Sequence, residues 1–292
     1  MTFALPTPAR PHRLPARTSQ GMTLVEVMVS LAIGLVVIGA VFANYLHNSV
    51  SSRQAKALGQ VTEDASLAMG IMRNHLAMAD FSQPTDIGPK VMTKRLTGIT
   101  VLGCSNGFAP STNKDISAAT CNTTAGTDAL RIRYEADNSN SLLTTDDVPS
   151  DCNGTGLALE SGKDYYVADN LFALTAGTPA SLGCNGKPLV ENVTEMHLTY
   201  GVAATDASTS RPGRIMHYVE AKDVVKTGTT TEAGWANVVS VRICLVVQSA
   251  DEVLTVATPY RNCAGTVVNA TDRRIYRAFT STVVLNNRLA AS

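Results

Sequence analysis

One carboxylate stands at the head of a segment that otherwise belongs in lipid. Glu26 is followed by residues 27–43, 17 residues in which Ser30 carries the only polar side chain. An ionised carboxylate at membrane depth costs about 2.5–3.5 kcal/mol on insertion scales and more in simulations, so an acid placed there marks function. The 21 residues that precede this stretch hold Arg10, Arg13 and Arg17 and no acid, and they show no apolar periodicity. They read as a basic leader rather than as fold, and the basic side stays in the cytoplasm. Gly34 and Gly39 would weaken a helix in water but are common in membrane helices. With Met22 to Val25 added, the run approaches the roughly 20 residues that a bilayer requires.

The pattern then turns amphipathic. Val50, Ala57, Val61, Ala65, Met69, Met72 and Leu76 recur at steps of three, four or seven, while Arg53, Lys56, Gln60 and Glu63 fall elsewhere. That spacing predicts one wetted helix face and one covered one. No proline interrupts before Pro84, so a helix over residues 22–79 is expected, about 85 Å long at ~1.5 Å per residue. From Pro84 the texture becomes Gly, Ser, Thr, Asn and Asp with short strand-like runs. In residues 130–135 apolar Leu130, Ile132 and Tyr134 alternate with charged partners, a half-buried strand. Residues 164–174, 190–202, 214–221, 238–248 and 274–285 are further candidates. In the fourth of these, Val239, Val241, Ile243, Leu245 and Val247 share one face, and Ser240, Arg242 and Cys244 share the other. The expected architecture is therefore α+β: a long N-terminal helix, half in the membrane, packed on an antiparallel β-sheet domain. Its expected parts are a leader (1–21), a membrane or filament-core helix (22–43), an amphipathic continuation (44–80) and a β-rich domain (81–292).

Composition excludes several classes. The chain has 24 basic and 24 acidic residues; without the three leader arginines, 21 face 24. A weakly acidic remainder with no basic cluster gives no electrostatic reason to bind nucleic acid. Six cysteines, Cys104, Cys121, Cys152, Cys184, Cys244 and Cys263, all follow the apolar segment, and none forms a Cys-x-x-Cys pair. An even count beside an export signal reads as a disulfide framework in an oxidising compartment. Fifteen pairings are formally open to six cysteines; pairing of sequence neighbours (104 with 121, 152 with 184, 244 with 263) is the expectation. The histidines at 12, 47, 75, 197 and 217 show no metal-ligand spacing. No nucleophile elbow or phosphate loop occurs, so no catalytic residue, metal or cofactor is expected. Residues 137–147 are rich in oxygen donors but lack the order and closing glutamate of a calcium loop, and read as a solvated loop. Arg131 and Arg133, on one strand face, read as solvated arginines, and Trp235 as a core or edge anchor.

The start of the chain resembles a type IV prepilin: a basic leader, Gly21, and a glutamate five residues on. That resemblance implies cleavage between Gly21 and Met22, N-methylation of Met22, and a meeting in the filament between Glu26 and a neighbour's Met22 amine. An ordinary signal peptide cut after residues 41–43 is the rival, but its apolar region runs about 7–15 residues without an acid at its head. Further stretches resemble the minor pilin family called PilW: residues 63–68 (EDASLA), 73–80 (RNHLAMAD), 189–193 leading to Tyr200-Gly201-Val202, 218–221, Trp235 running into 238–242, and 273–277 with 280–287. Two departures stand out. The helix ends Ala79-Asp80-Phe81 where relatives tend to show Ala-Gly-aromatic, and Ala203 stands where an aspartate is usual. The resemblance implies a non-enzymatic minor pilin that helps initiate pilus assembly near the tip. It implies as partners other minor pilins, the major pilin, the prepilin peptidase and methylase, the assembly platform and a tip adhesin. It also implies a single-pass inner-membrane protein with a periplasmic C-terminal domain, later carried to the cell surface. A minor pseudopilin of a type II secretion system and a secreted disulfide-bonded binding domain are the alternatives.

Overall fold

The computed structural model describes residues 21–87, 92–110, 116–124, 126–205, 212–224 and 231–288. Apart from Gly21, the expected leader, with its three arginines and His12, lies outside them. The chain divides into two compact units, Met1–Ser51 and Ser52–Ser292.

One α-helix, α1, covers Leu24–Met78. Within the second unit it buries a single stripe, Ala57, Val61, Ala65, Ala68, Met69, Met72 and Leu76, at steps of one, three and four. Thr62, Glu63, Ser66 and Arg73 on the other side are exposed. Full burial of such side chains stabilises by about 1.5–3 kcal/mol each for the larger ones. The stripe enters one core with two antiparallel sheets.

A small hairpin, β1 (Pro84–Ile87) with β2 (Met92–Lys94), follows the helix. Strands β3 (Val101–Cys104), β4 (Ala129–Ala136), β5 (Tyr166–Thr175), β6 (Ser181–Cys184) and β7 (Lys187–Glu191) form a five-stranded sheet in chain order. Asn185 and Gly186, both at positive φ (48° and 78°), make the two-residue β6–β7 turn, as an Asn-Gly pair does in a primed hairpin turn. The stretch 190–202 does not form one strand. Asn192 adopts φ 66°, which asparagine tolerates; there the chain leaves β7 and enters β8 (Val193–Thr205) of a different sheet. Strand β9 (Pro212–Val219), short helices α2 (Ala221–Val224) and α3 (Thr231–Ala236), β10 (Val238–Gln248), a ribbon of β11 (Tyr260–Arg261) and β12 (Val267–Val268), and β13 (Tyr276–Val284) complete the chain. The second sheet runs β13-β10-β8-β9.

Two close approaches need glycine. A Cβ on Gly103 would overlap the Tyr200 hydroxyl, and one on Gly201 would overlap Ser240 Oγ beside the Tyr218 ring. Trp235 is buried and meets Tyr200 edge-on, with ring centroids 4.9 Å apart. In β10 the alternation holds from Val241 onward, but a register shift between Val238 and Ser240 puts Val238, not Val239, into the main core cluster. The arginines of β4 are not simply solvated. Asp169, opposite Arg133 on β5, receives two hydrogen bonds from Arg131 (Nε to Oδ1 and Nη2 to Oδ2, both 2.7 Å). Arg133 reaches Glu160 at 3.4 Å. Such forked pairs are the strong class of charge-assisted hydrogen bond.

The end of α1 is locked by residues from both sides of the domain. Asp80 sits at φ 65°, a conformation that costs a non-glycine residue about 1–2 kcal/mol. Its carboxylate accepts from Lys94 Nζ at 2.6 Å and from Thr100 Oγ1 at 2.9 Å. Asn287 Nδ2 donates to the carbonyls of Ala77 and Ala79, each at 3.1 Å, satisfying groups that a helix end leaves bare. The buried Arg288 donates to Trp235 O, Val238 O and Thr100 Oγ1.

Candidate functional site

At the start of α1 the local chemistry is that of a helix cap. Thr23 Oγ1 accepts from Glu26 N at 3.2 Å, and Thr23 O accepts from Val27 N. A threonine followed three residues later by glutamate is the sequence form of the capping box; it is the signal for Thr23, a residue that apolar patterning passes over. Glu26 thus lies in the first helical turn, where a carboxylate gains about 0.3–1 kcal/mol from the helix dipole. Gly21 and Met22 precede the helix as extended chain. Ser30 Oγ donates to Glu26 O at 2.7 Å, which satisfies the one hydroxyl of the run.

The side chains that follow have no cover among the described residues. Leu24, Val29, Leu31, Ile33, Leu35, Val36, Ile38, Val41 and Phe42 are all at least half exposed. The helix is long and apolar enough to cross a membrane. Within the second unit, the exposed side of α1 carries a shallow groove lined by Ala55, Leu58, Gly59, Thr62, Glu63 and Ser66. Small residues of this kind let another backbone approach closely.

The six cysteines come together as three disulfides among sequence neighbours. Cys104 and Cys121 close a separation of 17 residues, Cys152 and Cys184 one of 32, and Cys244 and Cys263 one of 19. Each staples a loop to a strand: the segment after β3 to its end, the 137–165 loop to β6, and the β11–β12 ribbon to the outer side of β10. In the 137–147 loop, Asp137 Oδ1 accepts from Ser139 N and Oγ, and Asn140 Nδ2 donates to Glu135 O.

Asp128 and His75 each anchor a polar cluster in the second unit. Asp128 Oδ2 accepts from Leu198 N at 2.6 Å and lies 3.2 Å from His197 Nδ1. Burial pushes its pKa up to about 6 against these stabilising contacts. The pair links the start of β4 to β8, tying one sheet to the other. His75, whose pKa burial lowers, lies 3.1 Å from Tyr134 Oη and accepts from Asn170 Nδ2 at 3.2 Å. Asn170 Oδ1 in turn accepts from Cys152 N. Neither cluster sets a nucleophile beside a base. Among the described residues no three His, Cys, Asp or Glu side chains converge as for a metal.

Comparison with known proteins places both ends of the chain. Residues 164–287 match the family model of Type IV Pilus-assembly protein W, and residues 16–42 match the prokaryotic N-terminal methylation motif. No curated protein sequence matches the chain. Among solved structures, a type IV-like pilin from Thermus thermophilus aligns at 12% identity with a TM-score of 0.38, over 78% of this chain and 98% of that one.

Proposed function

We propose that this chain, which belongs to the PilW family of type IV pilus minor pilins, is processed between Gly21 and Met22 and enters a filament through the helix that Glu26 heads. The observation that carries the reading is one acid, held in the first turn of a helix whose next 17 residues carry a single polar side chain, Ser30. In lipid those side chains are covered on every side; in a filament the helices of other pilins would replace the lipid. Lipid and leucine are equally apolar, so the transfer has no hydrophobic drive and rests on packing and polar pairing. Glu26 supplies the pairing. A carboxylate in low dielectric is tolerable with a cation beside it, and the methylated amine of Met22 on a neighbouring subunit is that cation.

The rest of the chain fits the same assignment. The leader arginines would hold the N-terminal side in the cytoplasm and send the second unit into the periplasm, where three disulfides suit an oxidising compartment. Other minor pilins and the major pilin are the proposed partners of the helix. The sheet domain, near the pilus tip, would meet a tip adhesin. The role is structural: assembly initiation rather than catalysis.

The test is intact mass and N-terminal sequencing of the protein from membranes, with and without reductant. N-methyl-Met22 as the first residue supports the reading, and a chain that starts near Asn44 overturns it in favour of a freely secreted domain. Glu26→Ala should leave processing intact while pilus number falls; unchanged piliation would remove the pairing role.

A further inference from the structure

Strand β13 closes the second sheet, and among the described residues no strand pairs with its far side, although Tyr260 of β11 stacks on Tyr276 at its start. Strand β13 pairs with β10 through nine consecutive partners, Ser240 with Val284 to Gln248 with Tyr276, with no bulge. Just beyond the two ends of that ladder, Leu285 N donates to Val239 O and Ser249 N to Ile275 O. Antiparallel partners alternate between bonded and non-bonded pairs, so Arg277, Phe279, Ser281 and Val283 spend their backbone groups on β10. Ala278, Thr280, Thr282 and Val284 therefore aim their N–H and C=O groups the other way. Among the described residues none of those eight groups has a backbone partner, and β13 ends the sheet. The four side chains are exposed.

The other sheet edges carry the blocks that proteins use against stray pairing. Strand β9 starts with Pro212 and is interrupted by register shifts. Strand β7 holds Lys187, Pro188 and Glu191 and a further shift, and β3 is four residues long and wholly buried. Strand β13 has no proline and no register shift. Residues 278–284 read Ala-Phe-Thr-Ser-Thr-Val-Val, in which Phe, Thr and Val are strong strand formers and no residue is charged or proline. Its one charged side chain, Arg277, is exposed and meets no acid among the described residues.

We infer that the outer edge of β13 receives an extended strand from another protein, and that this strand carries a carboxylate in register with Arg277. Added strands take their affinity from main-chain bonds and their specificity from side-chain positions. Here the main-chain row is complete and Arg277 fixes the slide along it. A second copy of this chain is the poorer occupant. Strand β13 contains no acid, so pairing with itself leaves Arg277 unmatched. The edge would take such a strand whether or not the protein enters a filament.

The experiment uses the full chain in the cells that make it, with a photo-crosslinking residue at Thr282 or at Thr280 and the adduct mapped residue by residue. Adducts on alternate residues of one extended segment of a different protein, with an acid opposite Arg277, support the inference. Thr280→Pro, read with the Thr282 probe, removes an N–H that faces away from β10. It should lower adduct yield about tenfold while the three disulfides still form. Thr282→Lys, read with the Thr280 probe, keeps every bond to β10 and should act alike. Arg277→Glu should also lose the adduct, and reversal of the partner's acid to Lys should restore it. Adducts on a second copy, adducts on helices, an absence of adduct, or yields indifferent to both edge variants would overturn the inference.

Discussion

Residues 24–46 and 57–76 belong to one helix and draw on much the same apolar side chains, yet only the second stretch is buried by its own chain. The second has a stripe: Val61, Ala65, Met72 and Leu76 are covered and Thr62, Glu63 and Arg73 are wet. The first has no wet side, and all its large apolar residues stand exposed. The difference lies in angular distribution rather than in hydrophobicity. A stripe specifies an interior partner within the same domain. Apolar residues all round leave a helix stable only inside a different medium, whether lipid or other helices.

That contrast can be broken or sharpened by measurement, with the single tryptophan, buried Trp235, as a fluorescent reporter of urea unfolding of the full chain in detergent. The largest effect is expected from Cys152→Ser with Cys184→Ser. Opening a separation of 32 residues should cost the second unit about 4 kcal/mol by chain entropy, with membrane retention unchanged. Leu76→Ala should shift the same curve by about 3 kcal/mol, whereas Leu35→Ala should move it by less than about 0.5 kcal/mol. Equal shifts would mean that the two stretches are not covered differently. Asp80→Ala should cost about 2 kcal/mol, since it loses the Lys94 and Thr100 contacts and keeps the strained backbone; Asp80→Gly should cost less by relieving φ. The smallest effect is pH dependence. Asp128 holds its proton up to about pH 6 when folded and only to about 3.9 when unfolded. Stability from this group is therefore full below about pH 4 and declines as pH rises to about 6. Asp128→Asn should remove that component from a stability profile measured between those values.

Much of the architecture could be read from short-range pattern. The three-and-four spacing of residues 57–76 and the alternation in β4 and β10 mark their elements because each reports a local geometry. The Thr23-x-x-Glu26 cap and the Asn185-Gly186 turn are local signals too, and periodicity alone passes over both. What resists reading is non-local. Nothing near Arg131 announces Asp169, since that pair depends on the β4–β5 register. The change of sheet at Asn192 depends on one positive φ. The bulge that puts Val238 in the place of Val239 arises against a strand whose paired residues, Val202 and Gly201, are distant in sequence. As for the candidate site, the proposal for Gly21, Met22 and Glu26 rests on order along the chain alone. The bare edge of β13 was not legible, since a strand reveals itself as terminal only once all its neighbours are placed.

Asn287 closes the far end of the helix that begins at Leu24, while Arg288 beside it fastens to Trp235 O and Val238 O, and this makes the fold an inspector of its own completeness. The Ala77 and Ala79 carbonyls stay open until a segment 208–210 residues downstream has reached them. A product that stops before Asn287 would keep its sheets and its disulfides and still lack the bolt on its first helix. Such a chain would fray at that helix end and offer it to proteases first.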